Sequence, residues 1–166
     1  LDITAKAKPA SIRAELFNLI SIGEGIMYGS VAINYVITGA PTDELRFRIA
    51  ERLQNVEFIG SDVRRWERNG ETWTVKLQRK VQGNYNLALA YTQRYEPPAE
   101  LTFGGVSGLD LETQTGFIVI ASHLNLKLTA VDTGNEGLIG IDRDEIPSNY
   151  RLLINAPILR TYKYVQ

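Results

Sequence analysis

The sequence predicts an all-β protein: a large antiparallel β-sandwich of the supersandwich or jelly-roll kind, with little helix. Three observations predict it. Apolar and polar residues alternate through most of the chain, and a period of two marks a strand, whose successive side chains point to opposite faces. The alternating runs are short and punctuated by glycine, proline and asparagine, which read as turns. Only one stretch, 42–55, competes as helix.

The elements follow in order. Asp2 to Lys8 alternates Ile3 and Ala5 with Thr4 and Lys6, an edge strand stopped by Pro9. Ser11 to Ile22 is read as a strand from its β-branched and aromatic content, and Gly23-Glu24-Gly25 as a turn. Ile26 to Thr38 is a long strand in which Gly29 marks a bulge or a close backbone approach. Gly39-Ala40-Pro41 is expected to end it. In the ambiguous stretch, Pro41-Thr42-Asp43-Glu44 resembles a helix start, with Leu45, Ile49 and Leu53 four residues apart. Leu45, Phe47 and Ile49 also alternate with Arg46, Arg48 and Ala50. Strand is taken for 45–49 and an irregular turn for 51–55.

The stretch from Val56 to Tyr95 is the centre of the chain, an antiparallel meander. Trp73, Val75 and Leu77 share one face, as do Tyr85, Leu87, Leu89 and Tyr91. Asn69-Gly70 is a strong hairpin signal, because both residues tolerate positive φ; Gly83-Asn84 is a weaker second turn. Pro97-Pro98 forms a stiff connector, followed by a brief strand at Leu101 to Phe103. Gly116 to Ala121 is a near-continuous apolar run and reads as a central strand buried on both faces. Leu124, Leu126 and Leu128 mark the next strand. After a loop at 132–137 come a short strand at Leu138 to Ile141 and a loop at 142–149 holding one helical turn. A terminal strand covers 158–165, and its position leads to the expectation of a single β-sandwich domain, 1–166, excised from a longer multi-domain chain.

Composition narrows the function. The 166 residues suffice for one sizeable core. A net charge of −1 argues against a nucleic-acid partner, which calls for a basic excess. The absence of cysteine removes disulfides, thiolate metal sites and a cysteine nucleophile. No apolar run approaches the roughly 18–20 residues of a membrane helix, so membrane insertion is not expected.

Four groups of residues could carry chemistry. Trp66 and Trp73 flank the 69–70 hairpin. A two-residue turn places them opposite each other; a three-residue turn with a bulge places Trp73 opposite Arg65. With Arg64, Arg65, Asn69 and Glu71 beside them they could form a flat platform for a sugar ring, or they could close one end of the core. His123, the only histidine, has no partner set for nucleophilic catalysis or a zinc site. Asp132, Asn135 and Glu136 lie in one loop and Asp142, Asp144 and Glu145 in another, and oxygen ligands on loops suit calcium. No EF-hand spacing is present and Arg143 interrupts the second set; no other cofactor is indicated. Gly104, Gly105 and Gly108 lack the helix a phosphate cradle requires and are expected to serve a turn with positive φ.

The expected function is that of a non-catalytic structural or interaction module in a larger, envelope-associated or secreted bacterial protein, with neighbouring domains of the same polypeptide as partners. The alternative is a carbohydrate-binding or glycosidase-accessory domain using Trp66 and Trp73 on a glycan. A glycosidase with paired carboxylates is the catalytic alternative.

Overall fold

The computed structural model describes residues 1–5, 8–97, 100–129 and 137–165. It is all-β with almost no helix. Among the described residues nine strands join into one large mixed sheet: β1 (Ser11–Gly23), β2 (Ile26–Ile49), β3 (Gln54–Ile59), β4 (Val63–Asn69), β5 (Thr72–Arg94), β6 (Val106–Gly108), β7 (Thr113–Ala121), β8 (Leu138–Gly140) and β9 (Ile158–Val165). Their order is β3-β5-β2-β1-β7-β9-β8, with β4 added to β5 and β6 to β2. Among the described residues every pairing is antiparallel except β1 with β7, which runs parallel, Arg13 opposite Thr113. No helix among the described residues is long and apolar enough to cross a membrane.

The sheet is organised by β2 and β5, paired from Ile26 opposite Arg94 to Arg48 opposite Thr72. The expected stop at Gly39-Ala40-Pro41 and the expected turn at Gly83-Asn84 are both corrected, because each strand runs through. Gly39 and Gly83 do adopt positive φ, +74° in each case. They use it to bend a continuous ribbon instead of reversing the chain. At the bend, residues 38–41 of β2 face Gln82 alone, between the Ile37–Gly83 and Thr42–Val81 pairs.

The bend folds the sheet over itself. Val31, Ile33, Leu87 and Leu89 from one half share a core with Leu45, Phe47, Val75 and Leu77 from the other. The two packed layers are thus two halves of one sheet. Val31, Phe47, Val75 and Leu89 are fully buried, and each such side chain contributes about 1.5–3 kcal/mol relative to exposure. Gly29 provides the close approach expected of it: the Tyr91 ring lies over its Cα, where any Cβ would overlap the ring.

Two segments that alternate in sequence are not strands. Leu101 to Phe103 and Leu124 to Leu128 are irregular. Leu101, Phe103, Leu126 and Leu128 nevertheless pack against Ile20, Ile22, Met27 and Ile120. A coil lying on a core buries every second side chain and imitates a strand. The expected strand at Asp2 to Lys8 is also absent from residues 1–5 and 8–10, Lys6 and Ala7 lying outside the described residues. Lys8 meets the sheet through one bond, its carbonyl accepting from the Ala40 N–H at 3.1 Å.

The 142–149 loop holds the expected helical turn, a 3-10 turn at Arg143–Glu145, and then α1 (Ser148–Arg151). Its anchor is Tyr150, whose ring stacks on Phe17 with centroids 4.6 Å apart. Ile146 and Tyr150 close a second core with Phe17, Phe117 and Val119.

Candidate functional site

The hairpin that carries the tryptophans turns through Gly70-Glu71, with Asn69 opposite Thr72. Positive φ is present at Gly70 (+62°) and not at Glu71, the requirement of a turn with glycine at its first central position. This corrects both expected registers. Trp73 faces Arg68, and Trp66 faces Val75. The indoles are diagonal neighbours, and both pack on Phe58, with centroids 5.5 Å away for Trp66 and 6.1 Å for Trp73. Arg68 lies 5.3 Å from the Trp73 ring centroid. Trp66 is 37% exposed, while Arg64, Arg65 and Asn69 are exposed around it. Glu71 turns toward the backbone, its Oε2 accepting from the Glu51 N–H at 3.3 Å.

The acidic loops do other work. Asp142 caps the 3-10 turn: its Oδ1 accepts from the Asp144 N–H at 3.4 Å, and Glu145 Oε2 accepts from the Asp142 N–H at 2.8 Å. This is a capping box, reciprocal satisfaction of two free backbone donors. Asp132 lies outside the described residues, as do Asn135 and Glu136. Among the described residues no three His, Cys, Asp or Glu side chains are grouped to hold a metal ion. His123 is exposed.

A cleft of about 350 Å³, which no sequence signal singled out, opens beside β1 and β7. Leu16 and Asn18 of β1, Gln114 and Ile118 of β7, and Tyr164 of β9 line one part of it. Arg48 of β2, Ala50 just after it and the segment from Phe103 to Ser107 line another. That segment is tied down: Ala50 N–H donates to the Gly105 carbonyl at 2.8 Å and Arg52 Nη2 to the Gly104 carbonyl at 2.9 Å. Gly104 and Gly105 take φ of +88° and +97°, but they lie in irregular backbone and not in a turn, and Gly108 belongs to β6 without positive φ. Tyr164 lies across Gly116, its hydroxyl 2.5 Å from where a Cβ there would sit. Burial pushes the Tyr164 phenol up to about 12.

The cleft is walled mostly by apolar carbon, but hydrogen-bond donors without partners reach it. Asn18 is 4% exposed, and its Oδ1 accepts from the Tyr91 hydroxyl at 3.1 Å. Its amide nitrogen, the Tyr164 hydroxyl and the Arg48 guanidinium make no hydrogen bond or ion pair among the described residues. Gln114 is engaged, accepting from the Gly108 N–H at 2.6 Å.

A second feature is the outer surface of the last third of the chain. Leu138 and Ile139 of β8, Val165 of β9, and Leu152 and Leu153 after α1 are all exposed large apolar residues. Among the described residues β8 pairs only with β9.

No family model and no curated protein matches this chain. Among solved structures it is similar to the M1 zinc metallopeptidase from Deinococcus radiodurans, at 16% identity and a TM-score of 0.41, over 95% of this chain and 39% of that one. It is also similar to native yeast LTA4 hydrolase, at 16% identity and a TM-score of 0.46, over 95% of this chain and 26% of that one. The chain thus spans 39% or less of the length of these proteins.

Proposed function

We propose that the chain is a structural and interaction module of a larger polypeptide, packing against a neighbouring domain through its last third. One observation carries the reading: apolar side chains stand in the open from β8 to β9, Leu152 being 87% and Ile139 62% exposed. Large apolar side chains left this exposed are candidates for an interaction surface. The β8 edge adds unpaired backbone groups that a partner strand can take up. A photo-crosslinking residue at Leu152 in the full-length polypeptide tests it. Crosslinks to another domain of the same polypeptide are expected; a yield no higher than from a control position at Lys80 ends the reading.

A glycan-binding role is the second reading, favoured by the part-exposed Trp66 beside Arg64. It requires saturable change in tryptophan fluorescence with at least one member of a glycan panel. Retention of that change in Trp66→Phe would sink it.

A further inference from the structure

The cleft is a second candidate site, and it shares Leu138 and Val165 with the exposed apolar surface. Its volume of about 350 Å³ falls within the range of small-molecule sites, about 300–1,000 Å³. Phe103 and Ile118 supply apolar wall, and Leu16 and Val31, themselves buried, also border the cleft. The free polar groups are unbalanced. Arg48, the Asn18 amide nitrogen and the Tyr164 hydroxyl can all donate, and beside Gly105 the Arg52 Nη1 is buried without a partner among the described residues. Asn18 is the telling member, since its side chain is held in place by Tyr91 while its amide nitrogen is left unpaired. The one carboxylate in the lining, Glu71, already accepts from a backbone N–H. None of the three donors on Arg48, Asn18 and Tyr164 is fully enclosed, so each can exchange a water for a ligand oxygen.

We propose that the cleft binds a small amphipathic carboxylate. The apolar body lies between Phe103 and the Leu16–Ile118 wall. The carboxylate pairs with Arg48, and an ordinary surface guanidinium gains bidentate geometry by doing so. Asn18 and Tyr164 donate to any further oxygen on the ligand. Arg48 therefore selects charge and the wall selects size.

Calorimetric titration of the chain with 3-phenylpropionate, and with 3-phenylpropanol as the neutral counterpart, tests the assignment. Saturable one-to-one binding of the acid is expected, with the alcohol at least tenfold weaker. Arg48→Gln, a change at an exposed residue, should weaken the acid about tenfold and leave the alcohol unchanged. Ser107→Trp, which fills the cleft from its rim, should abolish both, and Leu138→Trp serves if that variant loses its fold. Three results would overturn the proposal: no saturable binding of the acid, equal binding of the alcohol, or unchanged affinity in Arg48→Gln.

Discussion

The side-chain amide of Gln82 donates to the carbonyl oxygen of Gly39 at 2.7 Å, across the point where β2 and β5 bend together. The contact links the two strands where their ladder is interrupted, so the bend is braced from both sides. Gly39 and Gly83 share the same φ there but not the same surroundings. A Cβ at Gly83 would meet nothing within 4 Å, whereas one at Gly39 would overlap the Pro9 carbonyl. Gly83→Ala should therefore lose roughly 1–2 kcal/mol, the cost of a left-handed conformation. Gly39→Ala should lose a further 1–3 kcal/mol or so from overpacking. Urea unfolding of both variants measures the difference; equal losses would mean the Pro9 contact is not rigid.

Tyr150 ties α1 to the sheet in two ways. Its hydroxyl donates to Glu15 Oε1 at 2.7 Å and accepts from Asn34 Nδ2 at 2.6 Å, while its ring covers Phe17. Tyr150→Phe should cost about 1–3 kcal/mol, because a carboxylate and an amide lose their shared partner. Tyr150→Ala should cost about 3–5 kcal/mol. Thermal unfolding separates the two, and an undiminished melting temperature in Tyr150→Ala would show the second core to be dispensable.

Stability should fall above pH 10. Burial raises the phenols of Tyr35, Tyr91, Tyr150 and Tyr164, the last to about 12. An unfolded chain releases a tyrosine proton near about 10. Between about 10 and 12 the unfolded chain thus binds fewer protons than the folded one, and stability declines as pH rises. Below about 10 the contribution is fully present. Urea midpoints at pH 9 and pH 11 should show the drop, and Tyr164→Phe should make it smaller. An identical drop in that variant would mean Tyr164 ionises freely.

Phe58 holds three aromatic neighbours, with Phe47 at 5.3 Å beside the two tryptophans. Phe58→Ala should cost about 3–5 kcal/mol and raise acrylamide quenching of both indoles. In the parent chain Trp66, the more exposed of the two, should account for most of the quenching, as single Trp→Phe variants would show. Dominant quenching of Trp73 would contradict the packing around Phe58.

Much of the fold was legible because burial of β2 and β5 is one-sided, so their alternation reports the sheet face directly. The same logic misled at Leu124 to Leu128, where a coil rests on the core and alternates without a ladder. Gly39 and Gly83 were recognised as special, but positive φ serves a bend as readily as a reversal. The parallel pairing of β1 with β7 left no local trace, since neither strand's own pattern names its partner. The cleft was illegible for the same reason: Leu16, Arg48, Gln114 and Tyr164 are distant in sequence, and only the folded sheet gathers them. The tryptophans were singled out correctly as neighbours, yet their register depended on which residue took the first corner of the turn.

The place of β1 between β2 and β7 sets a timetable for synthesis. Its flank against β2 can form as soon as the hairpin at Glu24 is complete, but its other flank stays bare until Ala121 has left the ribosome. A nascent chain in that interval offers a long open ladder to any stray strand. Dilution, or a chaperone that covers Ser11 to Gly23, should raise the yield of native protein more than any change to the finished surface.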